Sequence, residues 1–167
     1  LWARETRVDA IWFMDDWGSQ KNLLIPPDLW RQLFKPMYRD YVAIARSYGK
    51  KTFMHSDGYI LAILPELIEI GVDALNAQIF CMGVAELEPY AGKLTFWGEI
   101  DRQYLLARGS REEVDQAVRE VHRTLWRDGG CIAMCEFGGA ARPENVFQVY
   151  ETWDSLTAHA ESQPSRA

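Results

Sequence analysis

Apolar and polar residues follow two periods along this chain, and stretches of the two periods alternate. Short β-branched and aromatic runs predict strands at 8–16, 50–56, 72–78, 93–101 and 131–137. Apolar residues at helical spacing predict helices at 27–49, 59–71, 83–92, from Ser110 onwards, and from Pro143 to about His159. Most of the strand runs are continuously apolar, which is typical of a parallel sheet covered on both faces. The pattern predicts an α/β protein with five successive strand–helix units.

Single residues sharpen the expected element boundaries. Pro36 lies inside the first long helical pattern and predicts a break near Lys35, because proline lacks a backbone donor and disfavours helix in the residue before it. Gly71 is placed to end the second helix. Ser110 and Glu113 have the spacing of a capping box, in which each side chain satisfies a backbone donor at the helix start.

Two architectures satisfy five strand–helix units, a doubly wound open sheet and a (β/α)₈ barrel. A complete barrel typically needs about 250 residues, whereas this chain has 167. Five units could therefore form part of a barrel. Residues 1–6 read as the end of an earlier element, so we interpret the chain as the C-terminal part of a larger protein. We expect one domain over 1–160 and a frayed tail over 161–167.

Composition narrows the classes of function. The formal net charge is -6 and the pI about 5.1, with no basic run, which argues against a nucleic acid partner. The chain contains no uninterrupted apolar stretch long enough to span a bilayer. Its cysteines, Cys81, Cys131 and Cys135, are odd in number and do not indicate a disulfide framework. We expect a cytoplasmic protein that does not insert in a membrane.

Polar and ionisable side chains stand where each predicted strand ends. In parallel α/β folds the working residues gather at the carboxyl ends of the strands. On this ground we expect catalytic roles for Asp15, Asp16 and Asp57. The expected substrate-binding residues are Trp17, Asn76, Gln78, Glu99 and Asp101. The second and fifth strands also end in two metal-ligating types, His55 and Cys135.

Strand alternation predicts the directions in which His55 and Cys135 point. If Phe53 and Cys131 fill the interior of the fold, His55 and Cys135 lie above them and face the mouth. A histidine, a carboxylate and a thiolate that meet across strands form the kind of set that a catalytic Zn²⁺ uses, with three protein ligands and one open position. The spacing therefore raises the hypothesis of a zinc site.

Simpler interpretations of the same residues remain open at this point. A strand-end histidine is often a hydrogen-bonded core residue, and free cysteine is among the most commonly buried types. Asp15 and Asp16 are also typical of a turn before glycine. Glu99 and Asp101 are equally suited to capping the helix that follows them.

A series of short motifs resembles one enzyme superfamily. The motifs are DDWGSQ (15–20), LFKPMYRDYV (33–42), HSDG (55–58), LIEIGVDALNAQ (67–78), FWGEID (96–101), GSREEV (109–114) and RPENV (142–146). In this order and spacing they resemble the C-terminal half of the uroporphyrinogen decarboxylase superfamily, which includes cobalamin-dependent methyltransferases. The resemblance implies a (β/α)₈ TIM barrel of which this chain holds about the last five βα units.

The resemblance also implies a ligand set. The methyltransferase branch has a zinc motif of His-x-Cys followed much later by a second Cys. His55 matches the histidine and Cys135 the distant cysteine, while Asp57 stands in place of the middle cysteine. The implied zinc ligands are His55, Asp57 and Cys135, a harder and less thiophilic set than one with two thiolates.

Three interpretations of function follow from the resemblance. The first is Zn-assisted methyl transfer, with a tetrapyrrole or methyl-donor small molecule as substrate and a corrinoid carried by a partner protein. The second is cofactor-free decarboxylation of uroporphyrinogen III to coproporphyrinogen, although Asp15 replaces a substrate-binding serine of the decarboxylases. The third is an inactive half-barrel that pairs with another chain, for instance in a homo-oligomer, because an open barrel leaves sheet edges exposed.

Overall fold

The structure, a computed structural model, describes residues 1–127 and 129–158. Its strands are β1 (Ala10–Met14), β2 (Lys51–Ser56), β3 (Ala74–Ala77) and β4 (Thr95–Gly98). Its α-helices are α1 (Trp2–Glu5), α2 (Pro27–Leu33), α3 (Lys35–Ser47), α4 (Leu64–Ile70), α5 (Ile79–Met82), α6 (Leu105–Arg108), α7 (Arg111–Leu125) and α8 (Pro143–Thr157). Short 3₁₀ helices span Leu61–Ile63 and Val84–Tyr90. None of the helices in the described ranges has the length and apolarity needed to cross a bilayer.

The four strands form one parallel sheet in the order β1-β2-β3-β4. Helical segments connect each strand to the next, as parallel pairing requires. This arrangement confirms the α/β class and the parallel sheet. The register aligns Met14, His55, Asn76 and Trp97 in one row across the sheet.

The predicted fifth strand, 131–137, does not form a continuous strand. It lies parallel to β4 but makes only two isolated bridges, from Cys131 to Phe96 and from Met134 to Glu99. Among the described residues no strand pairs with its other side, so only one row of hydrogen bonds holds it. In the region that the structure describes, the predicted number of five complete units is therefore not confirmed.

Most helix boundaries lie where proline and glycine residues predicted them. α2 ends at Leu33 and α3 begins at Lys35 with Pro36 in its first turn, as predicted. Gly71 ends α4 in the left-handed conformation, with φ 88°. The segment predicted as a helix at 83–92 is a 3₁₀ helix instead, because Pro89 lies inside it and cannot donate an α-helical hydrogen bond.

Two further predicted boundaries have different outcomes. Ser110 and Glu113 form the predicted capping box, with the Ser110 Oγ accepting from the Glu113 backbone N–H at 3.2 Å. α8 begins at Pro143 as predicted, but the predicted helix end at His159 and the tail 161–167 lie outside the described residues.

The two faces of the sheet have different environments. On the outer face, Met54, Leu75 and Phe96 lie side by side and are fully buried beneath the helices. On the inner face, Trp12 and Met14 are 49% and 67% exposed. The inner face is therefore open on the β1 side. Its upper edge, at the carboxyl ends of the strands, carries the polar residues.

Candidate functional site

The loops after β1 and β2 contact each other through their backbones. The Gly18 backbone N–H donates to the Asp57 carbonyl at 3.1 Å. A Cβ atom at Gly18 would lie 2.5 Å from the Tyr59 backbone nitrogen, so only glycine fits there. Gly58 meets Gly18 from the other side and has φ 79°, which also favours glycine. This contact fixes Asp16 and Asp57 beside each other.

Three side chains converge above the sheet at this point, Asp16, His55 and Asp57. One potential ligand atom from each lies within 4.8 Å of the others. The His55 Nε2 atom is 3.3 Å from Asp16 Oδ1 and 3.7 Å from Asp57 Oδ1. Asp57 Oδ1 is buried and has no hydrogen-bond partner within the described ranges. We call this set the Asp16–His55–Asp57 cluster.

The other ring nitrogen of His55 has a buried partner. Its Nδ1 atom lies 2.5 Å from Asn76 Oδ1. Asn76 is only 4% exposed, and its Nδ2 group donates to the Trp97 carbonyl at 2.9 Å and contacts the Met134 sulfur at 3.1 Å. Asn76 was predicted to bind substrate. The structure places it beneath the cluster, where it holds the histidine ring.

Arg102 links three carboxylates next to the cluster. Its Nη2 group donates to Asp57 Oδ2 at 2.8 Å, and its Nη1 group donates to Glu99 at 3.3 Å and to Glu136. Burial acts to lower the pKa of Arg102, but the neighbouring charges, led by Glu99, outweigh it and raise that pKa. Burial raises the pKa of Glu99, which is 4% exposed, against the opposing effect of Arg102.

Sequence reasoning did not select Arg102. The signal that could have found it is its position directly after the predicted strand-end carboxylates Glu99 and Asp101. Several carboxylates that converge on one edge of a parallel sheet need a cation nearby, and Arg102 is the basic residue next to them in the sequence.

A small cavity of about 170 Å³ adjoins this ion cluster. Residues lining it include Gln78, Phe80, Cys81, Glu99, Asp101 and Arg102. Burial and, after it, the nearby carboxylates of Asp101 and Asp57 raise the pKa of the Cys81 thiol.

Asp15 and Trp17 do not join the cluster. Asp15 Oδ2 accepts from the Tyr38 hydroxyl at 2.8 Å, and the Trp17 Nε1–H donates to the same hydroxyl at 2.9 Å. Tyr38 belongs to α3 on the outer side of the sheet, and burial raises its pKa. The Trp17 ring also packs on Phe34, with 4.4 Å between centroids. Both residues therefore hold the β1 loop against the helices.

Gln78 and Asp101 line the cavity, but both also support the backbone. Gln78 Oε1 accepts from the Gly58 backbone N–H at 3.0 Å, next to the contact between the two glycines. Asp101 Oδ1 accepts from the backbone N–H groups of Gln103 and Tyr104 at 2.8 and 3.1 Å. These bonds stabilise the turn before α6. The N-cap of α6 is Tyr104 and no side chain caps that helix, so the alternative interpretation of Asp101 as a helix cap is not confirmed.

The structure does not bring Cys135 to His55 and Asp57. Cys131 pairs with Phe96, an outer-face residue, so that alternation directs Cys135 towards the helices rather than the mouth. Cys135 is 9% exposed and lies beside Tyr150 of α8, and burial raises its pKa. The assumption that Cys131 fills the interior was wrong, because Cys131 lies on the outer face of the sheet and the residues next to it lie on the inner face. Glu136, the next residue, reaches Arg102 instead.

Comparisons with known proteins identify the family. The sequence profile described as uroporphyrinogen decarboxylase (URO-D) matches residues 3–156. A methyltransferase from Methanosarcina mazei has a similar fold, with a TM-score of 0.67 and 20% identity. That likeness covers 90% of this chain and 43% of the methyltransferase, so this chain spans less than half of it. No curated protein sequence matches the chain. Because the family profile spans nearly all of it, the chain belongs to the uroporphyrinogen decarboxylase family.

Proposed function

We propose that this chain provides the metal-binding part of an enzyme that catalyses zinc-assisted methyl transfer. The observation that carries the proposal is the convergence of Asp16, His55 and Asp57 at the carboxyl edge of the sheet. The family and the methyltransferase neighbour support an enzyme of this superfamily. The metal, the reaction and the corrinoid partner are our inference.

The chemistry of the cluster favours a bound cation. Two carboxylates beside an imidazole nitrogen repel one another unless a proton or a metal ion lies between them. Asp57 Oδ1 is buried without a hydrogen-bond partner in the described part of the chain, which is costly unless a cation satisfies it. One nitrogen and two oxygen ligands fit Zn²⁺ and leave an open position for substrate. Without a thiolate the set is harder than that of the methyltransferase motif.

The surrounding residues hold each ligand in place. Arg102 binds one carboxylate oxygen of Asp57 and leaves the other directed towards His55. The Asp57 backbone N–H donates to Asp16 Oδ1 at 3.0 Å. When bound, Zn²⁺ supplies Lewis acidity that keeps a substrate thiol deprotonated or polarises a methyl donor. In the proposal the cavity beside Glu99 holds the small substrate, and a partner protein presents the corrinoid.

The charge of the site argues against decarboxylation of uroporphyrinogen. Asp16, Asp57, Glu99, Asp101 and Glu136 surround the cluster and the cavity. The single guanidinium of Arg102 is already shared by three of these carboxylates. An acidic site repels a polycarboxylate substrate. Conversion of uroporphyrinogen to coproporphyrinogen by the protein would favour the decarboxylase instead.

Metal analysis tests the proposal. We expect the purified protein to bind Zn²⁺ at one site, measured by elemental analysis and calorimetry. Asp16→Asn, His55→Ala and Asp57→Asn should each weaken binding at least tenfold, because each removes one ligand of three. Asp15→Asn is the matched control, since this neighbouring carboxylate faces Tyr38.

A second comparison separates the two ligand sets. Cys135→Ser should leave zinc binding unchanged, because Cys135 lies among the helices. Loss of zinc binding in Cys135→Ser would instead support His55, Asp57 and Cys135 as the zinc ligands. Absence of zinc in the wild-type protein, or zinc that is insensitive to every substitution in the cluster, would overturn the proposed metal site.

A further inference from the structure

The orientation of the Asn76 side chain is fixed by its buried neighbours. Its Nδ2 group faces the Trp97 carbonyl at 2.9 Å and the Met134 sulfur at 3.1 Å, and both of these atoms are acceptors. An amide in the opposite orientation would direct its carbonyl oxygen at these acceptors and lose both contacts. The Oδ1 atom of Asn76 must therefore face His55, at 2.5 Å from Nδ1.

This orientation decides which nitrogen of His55 carries the proton. A carbonyl oxygen only accepts hydrogen bonds, so Nδ1 must be the N–H donor. In the neutral ring the lone pair then belongs to Nε2, the atom that faces Asp16 and Asp57. His55 and Asn76 are paired in the register of β2 and β3, so strand pairing itself holds the two side chains together.

We propose that Asn76 is a positioning residue that makes His55 competent for metal binding by fixing its Nδ1–H tautomer. The inference rests on the proposed metal site, and it replaces the predicted role of Asn76 in substrate binding. Without this acceptor the proton moves to Nε2, because the carboxylates of Asp16 and Asp57 attract it there. A protonated Nε2 cannot bind a metal ion. Loss of such an outer partner typically weakens metal binding 10–100-fold.

Nitrogen chemical shifts of the His55 ring test the tautomer directly. The measurement uses ¹⁵N-labelled, metal-free wild-type protein at a pH where the ring is neutral. We expect a protonated Nδ1 and an unprotonated Nε2. In Asn76→Leu, which has a similar volume but no acceptor, the proton should move to Nε2. A wild-type ring protonated at Nε2 would overturn the inference without any need for a variant.

Zinc affinity provides the second readout. Asn76→Leu should weaken Zn²⁺ binding 10–100-fold. Asn76→Asp keeps an acceptor for the Nδ1–H group of His55. Its zinc affinity should therefore be close to that of the wild-type protein and no lower than that of Asn76→Leu. The stability control is Asn145→Ala, because Asn145 is also buried and donates to backbone carbonyls of Leu105 and Gly109 at 3.0 and 2.9 Å. It should lower stability without changing zinc affinity. Equal zinc affinities of Asn76→Leu and wild type would contradict the inference.

The two proposals fail in distinguishable ways. If the wild-type protein binds no zinc, the proposed metal site fails, while the nitrogen shifts still decide whether Asn76 fixes the tautomer. If zinc binds but is insensitive to Asn76→Leu, the metal site stands and the role of Asn76 falls.

Discussion

The contact between the loops after β1 and β2 gives the sharpest prediction, the effect of Gly18→Ala. The added Cβ would lie 2.5 Å from the Tyr59 nitrogen and 2.7 Å from the Asp57 carbonyl oxygen. These are backbone atoms, so a loop must move rather than a side chain. Overpacking of this kind costs about 1–3 kcal/mol. The hydrogen bonds across the contact, from Gly18 N to Asp57 O and from Tyr59 N to Ser19 O, each contribute about 1 kcal/mol.

We therefore expect Gly18→Ala to lower the free energy of unfolding by about 2–4 kcal/mol. For a chain of this size that corresponds to a fall in Tm of roughly 5–15 °C. Urea unfolding followed by circular dichroism measures the change. If the proposed metal site is correct, zinc affinity should fall as well, because movement of the loop separates Asp16 from Asp57.

Gly138→Ala is the matched control for this experiment. A Cβ at Gly138 would meet only the Glu136 side chain, at an ordinary 3.5 Å. Reduced freedom of the unfolded chain should make this substitution neutral or stabilising by up to about 1 kcal/mol. If Gly18→Ala were as stable as Gly138→Ala, the close approach of the two loops would be wrong.

Further predictions concern stability, titration and assembly. Tyr38→Phe should cost about 1–3 kcal/mol in urea unfolding, because it leaves Trp17 Nε1 without its acceptor; an unchanged midpoint would contradict this. Burial raises the pKa of Glu99, so its protonated form stabilises the fold at low pH and this contribution is lost as the pH rises through the folded pKa. Glu99→Gln should therefore gain stability relative to wild type as the pH rises, and a constant difference would refute the shift. Burial raises the pKa of Cys131 to about 11, so alkylation by iodoacetamide at about pH 8 should be roughly a hundredfold slower in the folded than in the urea-unfolded protein; equal rates in peptide mapping would contradict it. Because the inner face of the sheet exposes the apolar side chains of Trp12 and Met14, we expect the protein to self-associate in size-exclusion chromatography. A protein that elutes as a monomer at every concentration would contradict this expectation.

Local chemistry made much of the fold predictable from the sequence. The break at Pro36, the helix end at Gly71 and the capping box at Ser110 each depend on a few adjacent residues, and each was found where expected. The strand at 131–137 was overestimated because an apolar run does not reveal whether a neighbouring strand is present on both sides.

The candidate site was less predictable because it depends on register. His55 and Asp57 are two residues apart, a spacing that predicts one shared face in a strand, and the structure places them together. The sequence could not rank Asp15 against Asp16, since the choice depends on which face of β1 is turned inward. It could not pair His55 with Asn76 either, because only the alignment of β2 with β3 brings these distant residues into contact.

Met14, His55, Asn76 and Trp97 form one row across the sheet, so the geometry of the site depends on the register of all four strands. A slip of one residue between β1 and β2 would exchange the faces of adjacent side chains and put Asp15 where Asp16 belongs. The same slip would separate the loops that Gly18 and Gly58 hold together. If the proposed metal site is correct, metal binding would also report on folding, since only chains with the correct register bring Asp16, His55 and Asp57 together.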